Sequence, residues 1–371
     1  NWRVEFENVS DSVLNSLSRK TVGYNAPELF PASNPLGLLP NVTFGGIPSP
    51  ANITLTNIPL GAQYPTYSVT DNISKTFSGH ILKAGIFLNR QSIISKANTN
   101  RGVLNFSVDV NNPLDTGYTY GNAMLGVFAS ASQSNRIVQT STIYKAYEWF
   151  VQDSWKVTRR LTLDMGVRFV KTGPGFTKHV ASMFSPSAWK ASDIPTLIRP
   201  TLVNGARRGI DPNTGTIYPA VAIGLLAPGK GNFANGMILN NQPGVPQGLI
   251  ESPGLQYNPR IGFALDVFGN GRTAVRGGFG TFVSSGSNGE GAPGSETAIP
   301  LVLSVSLPYS TLSSLGSSSG LLSPAGVSTR QNPMGIATSY NMSFGVQQNV
   351  GWGTVIDASW VANLGRHLDW A

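Results

Sequence analysis

Residues 224–231 read GLLAPGKG, the GxxxxGK spacing of a phosphate-cradling loop, but Gly231 stands where a Ser or Thr would hold Mg²⁺. No strand-to-helix context surrounds it, so a Pro-Gly turn is the better reading. GSSSG at 316–320 satisfies GxSxG, yet Ser318 lies in a serine-rich stretch rather than at the sharp elbow that exposes a nucleophile. His80, His179 and His367 are far apart and none has a partner four residues on, which argues against a metal centre. The absence of cysteine removes disulfides, thiolate metal sites and Fe–S clusters together. Asp211-Pro212-Asn213-Thr214-Gly215 reads as a type I turn and offers too few ligands for a calcium loop. These residues predict a chain that is not an enzyme and carries no cofactor or metal.

Two other groups could bind rather than react. Asp164, Arg168, Asp266 and Arg276 fall at alternate positions of strand-like segments, where they would share one face. They could pair across neighbouring strands or line a ligand path, and pairing is the commoner fate of half-buried charges. Trp189, Arg207, Arg208, Tyr218 and Phe233 lie in long irregular stretches. Their rings and guanidinium groups suit ligand contact, sugar stacking included, and suit loop packing equally well.

The segments that must position these residues are strands. In LTLDMGVRF, residues 161–169, Leu161, Leu163, Met165, Val167 and Phe169 alternate with Thr162, Asp164, Gly166 and Arg168. A period of two gives one apolar and one polar face. Residues 147–157 lead into it through a turn at Thr158–Arg160. Three more hairpins are predicted: about 67–90 with its turn at Ser78-Gly79, 259–283 turning at Gly269-Asn270-Gly271, and 338–361 turning at Asn349–Gly353. RGGFG at 276–280 belongs to such a strand, where glycine lets a wall bend. Residues 116–130 read as a short helix or compact turn at the outer rim, and the strand through Tyr147 is expected to begin well before it.

Between the hairpins run three long connections, 9–66, 172–257 and 284–336, rich in Pro, Gly, Asn and Ser. Tight turns and long loops alternate in strict order, so all turns gather at one end of the sheet and all long loops at the other. A compact soluble domain rarely carries loops of this length. A membrane β-barrel does, with short periplasmic turns and long external loops. In that setting the apolar face meets lipid and the polar face lines a watery bore. Trp149, Trp155, Tyr340, Trp352 and Trp360 would then belong to aromatic girdles.

The bulk numbers agree. A mean hydropathy of −0.02 and 12% charged residues suit a wall whose two faces cancel. No window of about 18 apolar residues offers a membrane-crossing helix, which leaves crossing strands open. The net charge of +8 is scattered, with nothing longer than pairs such as Arg159–Arg160, so nucleic acid is not an expected partner. Both termini read as cuts through a longer protein.

Four stretches carry a family resemblance. QDSWKVTRRLTLDMGVR, NPRIGFALDVFGNGRTAVRGGFGTF, the pair Asn72-Ile73-Ser74-Lys75 and GHILKAGIF, and VANLGRHL stand in the order found in TonB-dependent outer-membrane receptors of the Oar-like, carboxypeptidase-regulatory-like type, which the chain resembles from about residue 20 to its end. The resemblance implies an all-β, antiparallel transmembrane barrel of about 22 strands, of which residues 1–371 would supply about nine, with both ends truncated and the plug domain absent. It implies bacterial outer-membrane lipid, the receptor's own plug, the TonB complex and an unknown extracellular ligand as partners. Loops 172–257 and 284–336 would do the recognising, so removing 284–336 is expected to abolish binding and spare the wall. A non-energised surface or adhesion protein, and a secreted glycan-binding β-protein, are the alternatives.

Overall fold

The computed structural model describes residues 3–8, 18–46, 50–55, 61–95, 99–284, 294–333 and 335–368. Nine strands form one antiparallel sheet in which every strand pairs with its neighbour in the series: β1 (Arg3–Asn8), β2 (Gly61–Phe77), β3 (His80–Ser95), β4 (Ser141–Lys156), β5 (Leu161–Thr172), β6 (Gln256–Asp266), β7 (Thr273–Val283), β8 (Thr338–Gly351) and β9 (Thr354–Arg366). The four hairpins supply eight of these strands and β1 is the ninth. Among the described residues β1 and β9 remain edges, so the wall is an open sheet; no closed barrel forms and a total of 22 strands finds no support.

Each short turn falls where the sequence puts it. Trp352 and Gly353 join β8 to β9 with φ of +51° and +72°, the doubly positive pair that matches strand twist. In the β6–β7 turn Gly269 and Gly271 also take positive φ, and their amides donate to the two carboxylate oxygens of Asp266, each at 2.9 Å. Asp266 therefore closes the turn from a register position on the same face as Asp164 and Arg276. The reason is its place as the last residue of β6, within reach of amides that need acceptors.

Register separates the faces. Phe77, His80, Trp155, Leu163, Phe263, Phe344 and Trp360 lie in one cross-strand row, followed by Leu82, Met165, Ile261, Phe279 and Met342. These apolar positions stay uncovered: Ile73 is 71% exposed, Trp360 58% and Phe344 49%, and Leu163 and Phe263 are half-buried only by their neighbours in the sheet. No second protein layer packs on them among the described residues. An apolar face this broad is stable against hydrocarbon and not against water. Two aromatic rows mark its limits on β4. Trp155 stacks on His80 near the turn, and Trp149 stacks on Phe169, which meets Tyr257 edge-on. Six residues of strand separate the two tryptophans, roughly 20 Å.

The long connections are folded. Asn41–Thr43, Val103–Asn105, Val127–Ser134, Ser304–Thr311 and Leu321–Leu322 build a five-stranded sheet from three different loops. Residues 119–125 form the helix α1 (Thr119–Leu125), ended by Gly126 in the left-handed region. Phe128 is fully buried among Leu104, Phe106, Ala131, Leu307 and Leu315. A second core gathers Ala181, Met183, Leu249 and Ile250, and a third Ile198, Ala222 and Ala227. Each large buried side chain contributes about 1.5–3 kcal/mol. The hydrophobic core thus lies in the loops, and the loop end of the wall carries a compact cap. Strand β4 begins at Ser141, later than expected, because residues 127–134 join the cap sheet.

Candidate functional site

The inner face of the wall is polar and small. Ser154, Asp164, Gly262, Gly278 and Ser343 form one cross-strand row; Gln152, Gly166, Arg260, Gly280 and Asn341 form the next. Asp164 and Arg276 face this side and are exposed, and Asp164 accepts a short hydrogen bond from Ser154. Arg168 is paired: its Nε donates to Glu148 Oε2 at 2.6 Å. Arg260 lies over the Phe282 ring at 4.4 Å. All four lumen candidates, Asp164, Arg168, Asp266 and Arg276, hold register positions on the predicted face, with Asp266 at its turn end. Towards the loops the same face closes over: Tyr144, Ala146, Glu148, Val170 and Asn258 are buried beneath the cap.

In the cap, sequence reasoning named five residues and the fold divides them. Arg208 Nη1 donates to the Asn111 carbonyl and side-chain oxygens at 3.2 and 3.3 Å, and Arg207 supplies positive charge near Asp109. Tyr218 packs on the core of Ile198, Ala222 and Ala227. These three brace a ribbon of Arg199–Val203, Ala206–Ile210 and Ile217–Tyr218 against the loop at 109–117. Arg207 is itself exposed, and Arg208 uses only its Nη1 in these contacts.

Trp189 and Phe233, 44 residues apart in sequence, converge on one cleft of about 420 Å³. Two loops line it. Phe184, Trp189, Leu197, Leu226 and Phe233 come from the first, and Ile299, Leu303, Leu322 and Val327 from the second. The frame is hydrogen-bonded backbone. Asn235 accepts from the Lys190 amide at 2.9 Å and donates to its carbonyl at 2.7 Å, which fixes the chain beside Trp189. The Leu226 amide donates to the Leu322 carbonyl at 3.0 Å and ties the two loops across the floor. Gly236, with φ of +82°, lets the Phe184 ring lie where a Cβ would stand. Trp189 and Phe233 remain 45% and 36% exposed. The cleft is open, apolar and bounded by no ionisable side chain.

The aliphatic lining residues escaped sequence reasoning. Ile194-Pro195, Ile299-Pro300 and Ser323-Pro324 punctuate the segments involved, but nothing in the residue order brings stretches about a hundred positions apart together. Of the three histidines, His80 donates through Nδ1 to the Asp153 carboxylate at 2.7 Å on the lipid-facing side near the turns, and His179 lies 3.4 Å from Glu296 in the cap. Among the described residues no group of three or more His, Cys, Asp or Glu stands together as a metal centre would require. Asp211 closes its own turn by accepting from the Asn213 amide at 2.8 Å and the Thr214 hydroxyl at 3.0 Å. Those hydrogen bonds hold its carboxyl below the usual carboxylate range.

Comparison with known proteins agrees with this architecture. No curated protein matches the sequence. Among solved structures, a monoaromatic hydrocarbon channel, CymD, is similar at 8% identity and a TM-score of 0.24, over 83% of this chain and 63% of the channel. The chain thus spans under two thirds of that channel's length, and a likeness so distant transfers nothing about cargo. A family model for the outer membrane beta barrel domain matches residues 3–371. An uncovered apolar face, a polar inner face and loops gathered at one end are what such a family requires, and the chain belongs to the outer membrane β-barrel domain family, a protein of the bacterial outer membrane.

Proposed function

We propose that this chain is wall and cap of a TonB-dependent receptor, which captures a ligand at the cell surface and moves it inward using energy delivered from the inner membrane, without catalysing a reaction on it. The observation that carries the reading is the cap: loops joining lipid-facing strands fold into a body with cores of its own and hold an open cleft on it. The four hairpin motifs support the energised form. Partners under this reading are outer-membrane lipid, a plug domain, the TonB complex and an extracellular ligand. Orientation and coupling are separately testable in the full-length protein. A cysteine at Trp189 should react with a membrane-impermeant maleimide on intact cells, and one at Asn270 only after permeabilisation. Purified receptor should be retained by the immobilised periplasmic part of TonB. Correct labelling without retention would favour a non-energised surface or adhesion protein instead.

A further inference from the structure

Receptor function alone leaves the ligand's chemistry open, and the cleft between the two cap loops narrows it. Its walls are Phe184, Trp189, Leu197, Leu226, Phe233 and Leu322, with further aliphatic groups at the rim. None of the lining residues is Asp, Glu, Lys, Arg or His, in a chain whose net charge is +8. Polar reach is small as well. Asn235 commits both ends of its amide to Lys190, and Asn232 accepts from the Ala234 amide at 2.9 Å through Oδ1. What remains is the Asn232 NH₂ and the hydroxyls of Ser304 and Ser323.

We infer that the cleft binds an uncharged, mainly apolar ring compound, seated against Trp189 and Phe233 and held by at most a few hydrogen bonds; this rests on the receptor reading for its biological setting, not for its chemistry. A charged ligand would lose hydration on entry and find no counter-ion among the lining residues. An oligosaccharide would bury many hydroxyls with too few partners to satisfy them. A flat apolar ring loses little hydration, meets two aromatic side chains, and fits a space within the ordinary range for small-molecule sites. An arene and the aromatic side chain of an uncharged peptide present the same surface, so both are covered by the inference.

The test is ligand-observed saturation-transfer NMR on the full-length protein in detergent micelles, with signals taken as the difference between wild type and a blocked variant so that partition into micelles cancels. Four probes serve: benzyl alcohol, benzoate, cellotriose and N-acetylphenylalaninamide. Benzyl alcohol or the phenylalanine amide should bind, whichever is tighter telling a free arene from a peptide. Benzoate and cellotriose should bind at least about tenfold more weakly. Trp189→Ala and Phe233→Ala should each weaken the neutral ring by about tenfold or more. Ala325→Trp, at the rim and outside every core cluster, should block the space without loss of fold. Equal binding of benzoate or cellotriose, or a neutral ring signal that survives Ala325→Trp, would overturn the inference. Binding is measured without TonB, so a failure of energised uptake would leave this result standing, and a failure here would leave the receptor reading standing.

Discussion

Arg168 on β5 donates through Nε to Glu148 Oε2 on β4 at 2.6 Å, and the carboxylate is almost wholly buried where the cap closes over the inner face. Arg168 keeps about a third of its side chain exposed towards the bore. The pair therefore marks the level at which open bore gives way to packed cap. Removing the guanidinium strands a buried charge. Arg168→Ala should cost about 2 kcal/mol, in the range for an orphaned charged acceptor, read as a fall in the urea midpoint of the micellar protein. Glu148→Gln in the same chain should restore most of the loss, and a loss unchanged in the double variant would show that the pair is not coupled.

Asp266 supplies a contrast among the four residues that alternation alone made equivalent. Its two oxygens accept from Gly269 and Gly271 across the turn. Asp266→Ala should destabilise the wall by about 1–2 kcal/mol and leave binding of any external ligand unaltered. Arg276→Ala, on the exposed inner face, should change stability by less than about 0.5 kcal/mol. The reverse order would place Asp266 on a ligand path after all.

The four hairpins were legible because a period of two and a tight turn are local properties. Leu163, Phe263 and Phe344 read as one face in three separate segments, and register brings them into one row. Closure is not local, and no residue pattern in these strands carries a strand count of 22. The cap was illegible for a related reason. Asn41–Thr43, Val103–Asn105 and Leu321–Leu322 are too short to show periodicity, and they become strands only through a sheet that crosses loops where Asn41–Thr43 pairs with Val103–Asn105 and Val127–Ser134 with Ser304–Thr311. Trp189 and Phe233 were visible as rings in loops, but their meeting at one cleft was not, nor were the contacts of Arg208 with Asn111 and of Tyr218 with the third core. Deleting 284–336, a natural test if those residues were a simple loop, would pull Ser304–Thr311 out of the five-stranded sheet and uncover Phe128.

Glu296 joins the parts of the cap to the wall. Its carboxylate is buried, accepts a short hydrogen bond from Thr177, and lies 3.3 Å from the Ser141 amide at the start of β4 and 3.4 Å from His179. Glu296→Ala should therefore loosen residues 294–303 from their neighbours at about 1–3 kcal/mol. Limited proteolysis of the purified protein should then cut there at least about tenfold faster, following the opening equilibrium. Unchanged cleavage would mean that the flanking Ser182–Ser295 backbone pairing holds the segment by itself.

Acid should open the cap before it opens the wall. Burial alone would raise the Asp109 carboxyl, but the Tyr309 hydroxyl, the Asn111 amide and nearby Arg207 outweigh it and hold the group below its ordinary value. Asp211 is lowered too, first by the Asn213 amide. A carboxyl depressed in the folded state contributes stability that is present above its unfolded value, near 3.9, and is lost as pH falls through the folded value. Cap protease resistance should therefore decline below about pH 4. Asp109→Asn should start from a lower resistance at neutral pH and show a flatter acid profile; an unchanged profile would exclude Asp109 as a contributor.

Phe344 and Ser343 adjoin on β8 and point to opposite faces, so they separate the effect of environment from that of position. Phe344 lies mid-strand in the apolar row beside Trp360, whereas Ser343 lines the polar row beside Gly278. An arginine introduced at Phe344 must enter hydrocarbon, at a cost that reaches about 2–4 kcal/mol at the bilayer midplane and falls towards the interfaces. The same arginine at Ser343 would meet water and small neighbours, with a cost under about 1 kcal/mol. Phe344→Arg should thus deplete the heat-modifiable, membrane-assembled form on gels while Ser343→Arg leaves it near wild type. Equal tolerance would mean that both faces meet water, and a Ser343 variant that fared worse would turn the wall inside out.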